Sequence, residues 1–141
     1  RSFTKNINVE LSEIQVRQNL SDGNCEFKYK GFVENPEAEM ELADFILRPS
    51  LSNDPWGRDI IEGMSLGRVV IATGHFNGFI KNGETGFLIG DWDTKTVGDL
   101  IIKTWNSKKR FRYIQESALV FSQKAFCPQK LASKFLGLIV G

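Results

Sequence analysis

Apolar and polar positions fall into short blocks whose period changes repeatedly along the chain. Phe27 to Val33 alternates for its first four residues and reads as a strand end. The spacing turns helical from Pro36 to Ala43, where Asn35 is a candidate cap and Pro36 suits the first turn. Glu37 and Glu39 favour the positive end of that helix's dipole. Phe45-Ile46-Leu47 is an apolar run closed by Pro49, the pattern of a strand buried on both faces. A turn-rich stretch over 50–57 leads into 58–66, where Ile60, Ile61 and Met64 mark a helical core face and Gly67 the stop. Val69 to Ala72 is a second wholly apolar strand and Phe87 to Ile89 a third. Between them, 74–86 is rich in Gly and Asn and reads as a loop with one helical turn at 79–81. Thr96–Asn106, Arg110–Lys124 and Pro128–Val140 are helical in spacing. At the start, Asn6–Val9 reads as a strand and Glu10–Leu20 as a helix on Leu11, Ile14 and Leu20.

Short apolar strands separated by helices imply an α/β fold, a parallel sheet with helices on both faces. Ligands of such sheets bind beyond the carboxyl ends of the strands. The loops after Leu47, Ala72 and Ile89 are therefore where chemistry is expected.

Composition narrows the classes. The 141 residues suit one domain, and 41% hydrophobic with 25% charged is ordinary for a globular chain, which excludes wholesale disorder and a fibre. A net charge of +1 makes no global case for nucleic-acid binding. No run approaches the roughly 20 apolar residues of a membrane span. Cys25 and Cys127 are too distant in sequence for a metal knuckle or a disulfide scaffold, and read as two unrelated thiols, with one disulfide as the alternative. Metal ligands are not apparent, since His75 is the single histidine. The chain opens Arg1-Ser2, with neither an initiator Met nor a signal peptide, and is expected to be a piece of a longer protein. A cytoplasmic location is expected. Charge is uneven: residues 1–100 hold ten basic and sixteen acidic side chains, whereas 101–141 hold eight basic ones and only Glu116. That basic end suits peripheral contact with an anionic membrane surface or an acidic neighbour domain, with a solvated helical face as the alternative.

The segment 48–67 carries the most chemistry. Gly57 permits close backbone approach of a ligand where a helix begins, and the free N–H groups there, with the dipole, suit phosphate. Arg58 in the first turn is misplaced for an isolated helix by about 0.3–1 kcal/mol, and a bound diphosphate would reverse that sign. Neutralisation by Asp59 or Glu62 is the alternative. Glu62, one turn on, can present a carboxylate to ribose hydroxyls, and Asp54 could do the same for a second sugar. Trp56 sits beside Gly57, where its ring could face a sugar; Trp92, Trp105, Phe111 and Phe121 read as core.

Residues 43–50 (Ala-Asp-Phe-Ile-Leu-Arg-Pro-Ser), Asp54 to Met64, Val69 to Gly74 and Asn82 to Leu88 together resemble the C-terminal, donor-binding domain of retaining GT-B glycosyltransferases. The closest likeness is to the large family of glycogen, sucrose and lipopolysaccharide glycosyltransferases, from about Phe32 to the C-terminus. The resemblance implies a Rossmann-like half of a GT-B fold, divided as a start at 1–31, a donor-site core at 32–95 and C-terminal helices at 96–141. It implies transfer of a sugar from a nucleotide-diphospho-sugar, which is co-substrate rather than cofactor, to an acceptor hydroxyl with retention. By position, Glu62 matches a ribose-binding glutamate and Asp54 stands where a sugar-binding glutamate is usual. Trp56, Gly57 and Arg58 match the stretch that meets sugar and diphosphate, and His75 to Gly78 a loop lining the donor side. Gly83 to Gly86 matches a structural turn. The family's diphosphate-binding Arg and Lys find no match here, and the acceptor-binding N-terminal domain is a partner expected upstream. The chain by itself is expected not to turn over, and no residue stands out as nucleophile or base. A sugar-nucleotide epimerase of the same fold and a non-catalytic nucleotide-sugar or protein-binding module are the alternatives.

Overall fold

A computed structural model of the protein describes residues 28, 30–50, 57–127 and 133. The chain divides into two compact units, Arg1–Glu34 and Asn35–Gly141, and the fold below is that of the second. The elements expected at Asn6–Val9, Glu10–Leu20 and Pro128–Val140 lie outside the described residues. No strand forms at residues 28 and 30–33, where Gly31 takes φ +63° and breaks an extended run.

Helix α1 spans Pro36–Glu41, and the Asn35 side chain accepts from the Ala38 N–H at 3.2 Å, satisfying a donor the helix cannot. Strand β1 (Phe45–Arg48), helix α2 (Arg58–Ser65), strand β2 (Val69–Thr73), strand β3 (Phe87–Ile89), helix α3 (Thr94–Asn106) and helix α4 (Lys108–Ala125) follow. The three strands form one parallel sheet in the order β1-β2-β3. Ile46 pairs with Val70 and Leu47 with Ile71, while Ala72 pairs with Leu88 and Thr73 with Ile89.

The alternation along β2 divides the core in two. Val70 and Ala72, with Ile46 and Leu88, face Ile60 and Met64 of α2. Val69 and Ile71, with Phe45, Phe87 and Ile89, face Leu100 and Ile101 of α3. Helix α4 serves both sides, through Phe111 and Ile114 on one and Ala118 and Phe121 on the other. All five β2 residues are buried, and each Val or Ile there contributes about 1.5–3 kcal/mol of transfer free energy. The sheet is thus covered by helices on both faces, as the sequence pattern requires.

Three expectations need correction. Strand β1 is not buried on both faces: it is the outer strand of the described sheet, with Phe45 and Ile46 half-buried and Leu47 exposed. No helical turn forms at 79–81, because the Lys81 N–H goes to the Thr85 hydroxyl and the Lys81 carbonyl accepts from Glu84 and Thr85. These bonds close the loop on itself, as a structural turn at Gly83 to Gly86 would. Trp105 is not core: it packs edge-on against buried Phe111 but keeps much of its ring in solvent.

Gly67 ends α2 with φ +65°, its N–H bonded to the Met64 carbonyl and that of Arg68 to Gly63. This left-handed stop turns the chain straight into β2.

Candidate functional site

The carboxyl ends of the three strands are tied together. The Ser50 N–H donates to the Thr73 hydroxyl at 2.7 Å, and that hydroxyl donates to the Ser50 carbonyl at 3.0 Å, joining the ends of β1 and β2. The Gly74 N–H donates to the Ile89 carbonyl at 2.9 Å, which brings the end of β3 alongside. His75 is exposed on the next residue, and its imidazole lies where a side chain at Gly90 would stand, so Gly90 makes room for the ring.

Helix α2 starts at this edge. Its first cap is Gly57, in extended backbone with no side chain to occupy the helix's free N–H groups; its carbonyl accepts from Ile60 at 3.2 Å. Arg48, the last residue of β1, donates from Nη1 to both Asp59 oxygens at 2.9 and 3.0 Å. A side chain at Gly57 would run into this pair, which explains the glycine sterically rather than conformationally.

Arg58 points along the helix. Its Nε and Nη2 donate to Oε1 of Glu62 at 3.0 and 2.7 Å, and hydrogen bonding to Glu62, then its charge, holds the guanidinium above its usual pKa. Glu62 therefore neutralises Arg58, the second of the two outcomes the sequence left open. Both bonds fall on one carboxylate oxygen, which leaves Oε2 for another donor. The Arg58 side chain is 87% exposed and that of Glu62 only 22%, so the carboxylate is the fixed partner and the arginine the movable one.

Gly57 and Arg58 thus open one helix and Glu62 stands one turn on, with His75 following the neighbouring strand. Asp54 and Trp56 lie outside the described residues. Sequence reasoning missed Arg48 and the Ser50–Thr73 tie. Their signal was present, a charged and a hydroxyl residue each ending an otherwise apolar strand. Among the described residues, no group of three or more His, Cys, Asp or Glu gathers as a metal site. Chemically, this edge offers N–H donors for an anion and a half-buried carboxylate for hydroxyls.

The family model described as glycosyl transferases group 1 matches residues 8–107. No curated protein matches the chain. Among solved structures, the glycosyltransferase from Rickettsia africae ESF-5 aligns with a TM-score of 0.80 at 23% identity, covering 97% of this chain and 37% of that one. HepE from Anabaena, solved in complex with UDP-glucose, aligns at 0.76 and 19% identity, covering 94% and 38%. The C-terminal domain of the group 1 glycosyl transferase LpcC from Francisella tularensis aligns at 0.72 and 14% identity, covering 86% and 65%. At these identities the likeness is one of fold, and the chain spans little more than a third of the first two structures.

Proposed function

Because the chain belongs to the glycosyl transferases group 1 family, we propose that it carries the nucleotide-sugar donor site of a retaining glycosyltransferase. In this reading it is the C-terminal half of a GT-B fold, and the acceptor-binding half is a separate domain of the same protein. The observation that carries the reading is the uncapped start of α2 at the carboxyl edge of a parallel sheet, with Glu62 one turn behind it. The diphosphate takes the free N–H groups at Gly57 and Arg58, and the ribose hydroxyls donate to Glu62. Asp54 and Trp56 meet the donor sugar, and His75 lines the same cleft from the end of β2.

The reaction breaks the bond from the sugar's anomeric carbon to the leaving phosphate oxygen and forms one to the acceptor oxygen. The acceptor's proton passes to the departing phosphate. Charge builds on the diphosphate as an oxocarbenium-like centre develops, so fixed N–H dipoles at α2 stabilise the transition state more than the ground state. Arg58 follows that charge by leaving Glu62, since its exposed side chain is held only by a solvent-screened pair on the helix surface. Turnover requires the acceptor domain as well.

A UDP-glucose complex of a fold relative makes UDP the first nucleotide to test. Ligand-observed NMR of this chain against UDP, GDP, ADP and their sugar conjugates should show one preferred nucleotide. Glu62→Ala should weaken it by roughly tenfold or more, the loss expected for charge-assisted hydrogen bonds, with little change in thermal stability. Equal affinity of the variant, or no nucleotide bound even when the acceptor half is joined upstream, would overturn the assignment.

A further inference from the structure

Three of the six described basic side chains of the C-terminal part, Lys108, Lys109 and Arg112, share one small surface. Where α3 passes into α4, Lys108, Lys109, Arg112, Tyr113 and Glu116 line a shallow groove of about 500 Å³. Beside it, Lys108 Nζ lies 3.8 Å from the centre of the Trp105 ring, a cation held on an aromatic face. Trp105 is itself braced edge-on by buried Phe111 with centroids 5.3 Å apart, so the ring is fixed rather than loose. One helical turn before it stands Ile102. Ile102 is 60% exposed, Tyr113 53% and Trp105 40%. Ile102, Trp105 and Tyr113 therefore stand in solvent on the two helices whose junction carries these three cations, with Glu116 the only acid in the groove.

We infer that this surface docks on an anionic lipid bilayer. Lys and Arg near a charged leaflet gain from its negative potential, while Trp and Tyr settle at the headgroup level and an aliphatic side chain enters beneath. A polyanion would use the cations but gains nothing from Ile102. Trp105 also packs on Phe45, the first residue of β1, with centroids 6.4 Å apart, which puts the surface at the amino ends of the strands. The start of α2 lies at their carboxyl ends, so docking leaves the donor edge open to soluble ligands. Among the described residues no helix is long and apolar enough to cross a membrane, and the contact is peripheral.

Co-sedimentation of the chain with vesicles tests this. Vesicles of phosphatidylcholine mixed with phosphatidylglycerol should bind it, and vesicles of phosphatidylcholine alone should not. The triple variant Lys108→Gln, Lys109→Gln, Arg112→Gln should lose about a hundredfold in affinity, roughly fivefold for each cation. Ile102→Ser should lose several-fold, and all variants should melt like the parent because the altered side chains lie on the surface. Absence of binding to the anionic vesicles would overturn the inference, as would undiminished binding by the triple variant. So would binding of a single-stranded oligonucleotide as tight as that of the vesicles, with Ile102→Ser indistinguishable from the parent.

Discussion

Helices α2 and α3 both begin where a strand of the same sheet ends, yet the two openings are built differently. At α3, Asp93 accepts from the Thr96 N–H at 2.8 Å and from the Thr96 hydroxyl, so a carboxylate of the protein already occupies the anion position. At α2, Gly57 supplies no side chain, and the nearest carboxylate, Asp59, is turned aside onto Arg48. One start is satisfied from within; the other keeps its donors and holds its own negative charge away from them. Helix α4 also lacks a side-chain cap, but it opens beside Phe45 at the opposite edge of the sheet. Position on the sheet and the missing cap together, rather than either alone, single out α2.

The contrast can be broken at Gly57. Gly57→Asp gives α2 the kind of cap that α3 has, placing a carboxylate across the free N–H groups; it also displaces the Arg48–Asp59 pair, so Gly57→Ala is the control for that displacement alone. Nucleotide affinity should fall by roughly a hundredfold or more, since juxtaposed like charges cost several kcal/mol, while far-ultraviolet circular dichroism stays unchanged. Undiminished affinity in the same NMR titration would mean that the anion does not sit at this opening. A smaller effect is expected at Arg48. Arg48→Gln leaves Asp59 without its counter-charge at the start of α2, and nucleotide affinity should drop several-fold. Stability should change by about 1 kcal/mol or less in a urea titration, because both partners are partly solvated and the Arg48 Nε that is removed has no partner of its own.

The fold was largely legible because its core strands are short, apolar and bounded by strong stops. Val69 to Ala72 could only be buried, and Gly67 and Pro49 mark their boundaries sterically. The site was legible in part. The glycine at the start of α2 and the Arg58–Glu62 spacing follow from helical geometry, so their contact was foreseeable as one of two outcomes. Arg48 was not, because its partner lies eleven residues on and meets it only once β1 and α2 have packed. The same holds for Ser50 and Thr73, joined across adjacent strands by a register that the sequence does not state. Trp105 failed for a related reason: helical spacing and the end at Asn106 were legible, but not that Phe45 and Phe111 would cover only part of the ring and leave the rest in solvent. Local patterns thus yielded elements and candidate residues, while the pairings that depend on tertiary approach had to come from structure.

The closed opening supplies the smallest and most specific test. The Asp93 carboxyl is held below the usual carboxylate range, first by the Thr96 hydroxyl and then by the Thr96 N–H. A folded pKa below the unfolded one stabilises fully above the unfolded value of about 3.9 and loses that contribution as pH falls through the folded value. Asp93→Asn keeps an acceptor for the N–H but cannot ionise, so its deficit relative to the parent should be present at neutral pH and vanish in acid. Asp93→Ala should lower the melting temperature further at neutral pH, because the Thr96 N–H then has no side-chain acceptor. Neither variant should alter nucleotide affinity, since the nucleotide is assigned to the start of α2 and not to this one. Thermal melts at neutral pH and near pH 3, run beside the NMR titration, separate the two roles. If Asp93→Ala weakened nucleotide binding as much as Glu62→Ala, the two helix starts would belong to one site, and the assignment of the anion to α2 alone would fall.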